Sequence, residues 1–135
     1  MPLLRKHSPP SEIEKPICIV DDDEAVADSL QALLETFGFN VQSYSSGSEF
    51  LADERRHRAA GCLLIDQHMP GASGLDVVDN LRKEGIQIPT ILISGRLDAG
   101  TRERATRLGV RELLDKPVAA GRLIQAIRTT LANVR

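Results

Sequence analysis
At 135 residues the chain is long enough for one hydrophobic core and too short for two ordinary domains. Its 41% apolar and 27% charged residues are those of a globular protein in water, and only 3% are aromatic, which leaves little for stacking on nucleic-acid bases. The formal charge of -2 conceals an asymmetry: residues 1–95 hold 8 Lys/Arg against 15 Asp/Glu, and residues 96–135 hold 9 against 4. The acidic part agrees with a cation site; the basic part is equally a partner surface or a solvated face. No apolar stretch approaches the roughly 20 residues of a membrane helix, and the opening Met1–His7 lacks the apolar segment of a signal peptide. A cytoplasmic protein is expected.

Residues 1–15 contain Pro2, Pro9 and Pro10 and no apolar period, so they read as a flexible leader before a domain over 16–135. Ile17–Val20 is continuously apolar, as in a strand buried on both faces. It opens directly onto Asp21-Asp22-Asp23. Val26, Leu30, Leu33, Leu34 and Phe37 then recur at three- and four-residue spacing, predicting an amphipathic helix closed by Gly38. Val41–Tyr44 is a short strand, and residues 46–58 a second helix with Phe50 and Leu51 inward. Cys62–Ile65 is a third apolar strand, ending in Asp66. Without CxxC spacing, Cys18 and Cys62 read as small buried hydrophobes. After a loop with Pro70 and Gly71, Leu75, Val78 and Leu81 mark a third helix ending at Gly85. Residues 89–93 form a fourth strand, 99–108 a weaker helix, 110–114 a fifth strand, and Leu123, Ile124, Ile127 and Leu131 a last helical stripe. Strict alternation of strand and helix implies an α/β protein with a mainly parallel sheet.

Adjacent carboxylates at a strand end repel one another and are tolerable when solvated or neutralised by a cation. Two buried strands delivering Asp21, Asp22 and Asp66 to one rim suggest oxygen ligands for a hard dication such as Mg2+. Asp23 and Glu24 suit the start of the following helix better than a metal. Further along, Ser94-Gly95 ends the fourth strand and Lys116-Pro117 the fifth.

Together with Met69-Pro70 and Gly74, these elements in this order resemble the receiver domain of two-component response regulators, over about residues 17–131. The resemblance implies a flavodoxin-like, doubly wound five-stranded parallel sheet of order 2-1-3-4-5 with five helices. It also implies that Asp66 is the phosphoacceptor, that Asp22 binds Mg2+ directly and Asp21 through water, and that the His68 backbone carbonyl is a third protein ligand. Lys116, the Ser94 hydroxyl and the Gly95 N–H would meet the phosphoryl oxygens, and Lys116-Pro117 would be cis. The phosphodonor would be a sensor histidine kinase or a histidine phosphotransfer protein. Activity would be limited to self-phosphorylation and slow self-dephosphorylation, not turnover. With four residues after Leu131, a stand-alone, single-domain type is expected, relaying the group or switching partner binding, with a homodimer as one outcome and no nucleic acid or membrane partner.

Two positions depart from the family pattern. Leu113 stands where many receivers carry an aromatic ring that reports phosphorylation. His68 and Arg96, two residues past Asp66 and Ser94, flank the path of attacking water and are expected to tune acyl-phosphate lifetime; the His68 imidazole itself is expected at the site rim. His7 and His57 read as solvated. The alternatives are an Mg2+-dependent phosphohydrolase with an aspartate nucleophile, for which no segment is long enough to be a cap, a flavodoxin, whose phosphate loop three aspartates would oppose, and a pseudo-receiver acting as a binding module.

Overall fold
A strand that presents apolar side chains in both directions must be covered on both faces, and five short runs satisfy this requirement together. In the computed structural model, which describes residues 15–132 except the side chains of 56–58, they form β1 (Ile17–Val20), β2 (Val41–Tyr44), β3 (Cys62–Asp66), β4 (Thr90–Ser94) and β5 (Glu112–Asp115). All pairs are parallel, in the order β2-β1-β3-β4-β5. The three central strands are buried throughout, and the edges β2 and β5 only in part. This is the doubly wound order expected from the resemblance. Residues 1–14, which include most of the expected leader and His7, lie outside the described residues, as does the His57 side chain.

Each strand is followed by a helical segment: α1 (Glu24–Thr36), then α2 (Gly47–Ala52) with α3 (Glu54–Ala59), then α4 (Gly74–Lys83), α5 (Ala99–Arg107) and α6 (Ala120–Ala132). The second segment, expected as one helix, is broken at Asp53, whose backbone (φ -96°, ψ 76°) closes α2. The Tyr44 hydroxyl donates to Asp53 Oδ2 at 2.8 Å and holds the break against β2. Four helices begin on side-chain caps: Asp23, Ser46, Ser73 and Asp98 accept the N–H of Val26, Glu49, Asp76 and Thr101. Asp23 is therefore a helix cap, as its position suggested.

Alternation along the strands divides the interior into two cores. Ile17, Ile19, Leu64, Ile91, Ile93 and Leu114 face α1 and α6, while Cys18, Val20, Leu63, Ile65 and Leu92 face α2, α4 and α5. Both cysteines are buried and neither forms a disulfide, and burial pushes the Cys62 thiol up to about 12. Several arginines of the basic segment have partners within the chain. Arg104 pairs with Asp76 at 2.9 Å, Arg122 with Glu112 at 2.9 Å, Arg107 with Glu103 at 3.2 Å, and Arg102 Nε donates to the Leu97 carbonyl.

Strand ends differ slightly from the sequence reading. Pro89 lies before β4 because it has no N–H for the ladder, although its carbonyl accepts from Leu63 N–H. Val110 N–H turns back to the Ala105 carbonyl to close α5, so β5 starts at Glu112.

Register places the strand ends level: Val20 lies beside Ile65, Asp66 beside Ile93, and Ser94 beside Asp115. The loop after β3 is drawn tightly over this rim by Gly74, where a Cβ would stand 2.6 Å from the Asp66 carbonyl oxygen and 2.9 Å from Leu92 Cδ1. By contrast, a Cβ on Gly121, in the first turn of α6, meets nothing within 4 Å. In urea denaturation, Gly74→Ala is expected to cost about 1–3 kcal/mol through overpacking, and Gly121→Ala to be neutral or to stabilise by up to about 1 kcal/mol through helix propensity.

Candidate functional site
The rim where β1, β3, β4 and β5 end is the place where an open parallel sheet offers its ligand crevice. Asp66 is the last residue of β3 and Asp21 follows β1 directly, and both are buried, at 5% and 3% exposure. Asp22 beside them is exposed. Asp21, Asp22 and Asp66 each place a carboxylate oxygen within 4.8 Å of the others, a cluster of hard oxygen donors of the kind that holds Mg2+ or Ca2+. These three therefore fit the dication that the sequence suggested.

Lys116 reaches the same point from the end of β5. Its Nζ lies 3.2 Å from Asp66 Oδ1 and 3.8 Å from Asp21 Oδ2. Among the described residues, one ammonium thus stands against a cluster of three carboxylates. Burial raises the Asp21 carboxyl above its usual range, and the neighbouring Asp66 charge pushes the same way. The Asp23 N–H, donating to Asp21 Oδ1 at 2.9 Å, and the Lys116 charge oppose this without cancelling it.

Ser94 closes the fourth side. It ends β4 with no exposed surface, and its Oγ lies 3.0 Å from the Arg96 N–H, 2.9 Å from the Arg96 carbonyl and 3.0 Å from His68 Nε2. Gly95 follows it, exposed and with open space around its α-carbon. His68 N–H points toward Asp66 Oδ1 at 3.5 Å. The Lys116-Pro117 peptide is cis. Asp21, Asp22, Asp66 and Lys116 thus meet at one point, and Ser94 ends the strand that lies between β3 and β5.

A family model described as the response regulator receiver domain matches residues 17–128. The chain belongs to the response regulator receiver family. The receiver is 43% identical over 115 residues to the response regulator protein TodT of Pseudomonas putida, covering 85% of this chain and 50% of that protein. It is 42% identical over 129 residues to TmoT of Ectopseudomonas mendocina, covering 96% and 57%. The chain thus spans about half the length of the curated relatives it matches. Among solved structures, FixJ-N superposes with a TM-score of 0.82 at 32% identity, covering 90% of this chain and 97% of that one.

Some features of this receiver's site were not legible in the sequence. The His68 imidazole does lie on the exposed rim, yet it touches the Ser94 hydroxyl across 26 residues of chain; spacing gives no sign of where a ring points. Gln67 lies in the loop after β3, where its Oε1 accepts the Leu75 N–H at 2.9 Å and its carbonyl accepts from Gly74, fastening the start of α4 to the end of β3. Leu113 lies beside Leu92 in the sheet and packs, half buried, on the α4–α5 side of the core.

The raised Asp21 carboxyl has a consequence for stability without metal. A group whose pKa is higher folded than unfolded binds more protons in the folded state, so its contribution falls as pH rises from its ordinary value of 3.8 through the raised one. In EDTA, Asp21→Asn is expected to be more stable than the wild type at neutral pH, with the difference shrinking as pH falls through that window. Parallel thermal melts from acid to neutral pH measure it; a difference independent of pH would contradict the assignment.

Proposed function
We propose that this receiver accepts a phosphoryl group on Asp66 with the help of Mg2+, and that the modified protein either relays the group or changes its partner binding. Receiver domains of two-component systems are phosphorylated by histidine kinases, so the donor is a phosphohistidine of a sensor kinase or a phosphotransfer protein. The observation that carries this reading is the Lys116 ammonium 3.2 Å from Asp66 Oδ1, inside the carboxylate cluster.

In the transfer, an Asp66 carboxylate oxygen forms a bond to phosphorus as the bond from phosphorus to the donor's imidazole nitrogen breaks; that nitrogen keeps the electron pair and gains a proton. The transferring group carries negative charge on its equatorial oxygens, and catalysis is mainly positioning and charge stabilisation. Lys116 is placed to take one of these oxygens in exchange for part of its contact with Asp66. Ser94 would donate its hydroxyl to another, and the Gly95 N–H would donate on the same side. Mg2+ held by Asp21, Asp22, Asp66 and the His68 carbonyl would supply the remaining positive charge. The Asp21–Lys116 side of the crevice continues into an apolar groove of about 600 Å³ lined by Val26, Leu30, Ile93, Pro117 and Val118. Because the groove is continuous with the site, we place the phosphodonor against it.

The proposal covers the receiver unit, since the TodT and TmoT proteins extend to about twice its length. Among the described residues no helix is long and apolar enough to cross a membrane.

With acetyl phosphate or phosphoramidate and Mg2+, intact-mass measurement is expected to show one phosphoryl group on the wild type and none on Asp66→Asn or in excess EDTA. Lys116→Ala should slow the labelling at least about tenfold. Steady release of phosphate from small phosphomonoesters, without a stoichiometric label, would instead identify a phosphohydrolase. Decay of the label is expected to differ between wild type and Arg96→Ala; equal rates would remove Arg96 from control of acyl-phosphate lifetime.

A further inference from the structure
We infer that the His68 imidazole is a positioning residue: it holds the Ser94 hydroxyl in its resting orientation and thereby opposes the engagement of Ser94 with a phosphoryl group on Asp66. This rests on the reading of Asp66 as phosphoacceptor. A serine hydroxyl has one proton and two lone pairs. The Arg96 carbonyl can only accept, and at 2.9 Å it would repel a lone pair on Ser94 Oγ, so the arrangement in which all three contacts are attractive sends the hydroxyl proton to it. The Arg96 N–H can only donate, so it occupies one lone pair, at 3.0 Å. The second lone pair faces His68 Nε2 at 3.0 Å, a separation at which a bare ring nitrogen would repel it. The network therefore assigns the ring proton to Nε2, with His68 donating to Ser94.

Every hydrogen-bonding capacity of the hydroxyl is thus filled before any phosphoryl group arrives. To donate to a phosphoryl oxygen, Ser94 must release the Arg96 carbonyl, and rotation about its Cα–Cβ bond carries Oγ away from His68 as well. The Arg96 contacts use main-chain groups two residues on and would form with any side chain at position 96. The His68 contact is different in kind. It comes from the loop after β3, and its residue also points its own N–H toward Asp66 Oδ1 at 3.5 Å. His68 is exposed, so losing the ring orphans no buried partner on its own side, and the contact should count as one ordinary hydrogen bond.

The test is binding of beryllofluoride, a tetrahedral phosphoryl mimic, to the whole chain with Mg2+, followed by calorimetry. His68→Ala is expected to bind about fivefold more tightly than wild type, the worth of one neutral hydrogen bond. His68→Gln, whose amide N–H reaches about as far, should return to within about twofold of wild type. In a Ser94→Ala background the His68→Ala effect should vanish. In the mimic-free wild type, nitrogen-15 NMR of the ring should find the proton on Nε2. Equal or weaker binding by His68→Ala, a tightening that survives in Ser94→Ala, or a ring proton on Nδ1 would each overturn the inference while leaving Asp66 untouched. A wild type that binds no beryllofluoride, or an Asp66→Asn variant that binds it equally, would overturn the phosphoacceptor reading and this inference with it.

Discussion
Among the described residues, three carboxylates crowd one rim with a single ammonium between them, and the rest of this structure follows from that constraint. Like charges at such separations repel, and burial of Asp21 and Asp66 removes the water that would soften the repulsion. Lys116 offsets part of it, and the Asp23 N–H offsets a further part at Asp21. What remains is an attraction for positive charge, and the proposed Mg2+-assisted phosphoryl transfer depends on it.

Holding that arrangement against its own repulsion needs a stiff frame. The parallel ladder supplies it, because Asp66 and Ser94 are themselves strand residues with fixed neighbours, and Asp21 and Lys116 follow their strands within one residue. A slip of one residue would turn each carboxylate to the opposite core, so the two apolar faces enforce the position of the charges. Gly74 and Gln67 bring the start of α4 down onto the end of β3, leaving the crevice walled on one side and open toward the groove beside α1.

Much of this was visible in the residues alone. Apolar runs ending in aspartate, serine and lysine located the strands and the rim, because burial on both faces leaves a strong compositional trace. The spatial order of the strands came from the resemblance, since periodicity does not report which strands are neighbours. What escaped the sequence depends on single side-chain contacts. The break at Asp53 is set by the Tyr44 hydroxyl from another element. The direction of the His68 ring is set by a lone pair on Ser94, and the role of Gln67 by one N–H of α4. The basic segment, equally a partner face or a solvated one from charge alone, has much of its arginine matched within the chain, and this reduces the weight of charge in any account of its surface.

The capping of α5 by Asp98 gives the site a short leash. Only three residues, Gly95 to Leu97, separate the serine at the end of β4 from that cap. The Arg104–Asp76 pair joins this helix to the first turn of α4, whose own start is fastened to the loop beyond Asp66. The loops that leave β3 and β4 therefore lead into two helices tied to each other by an ion pair.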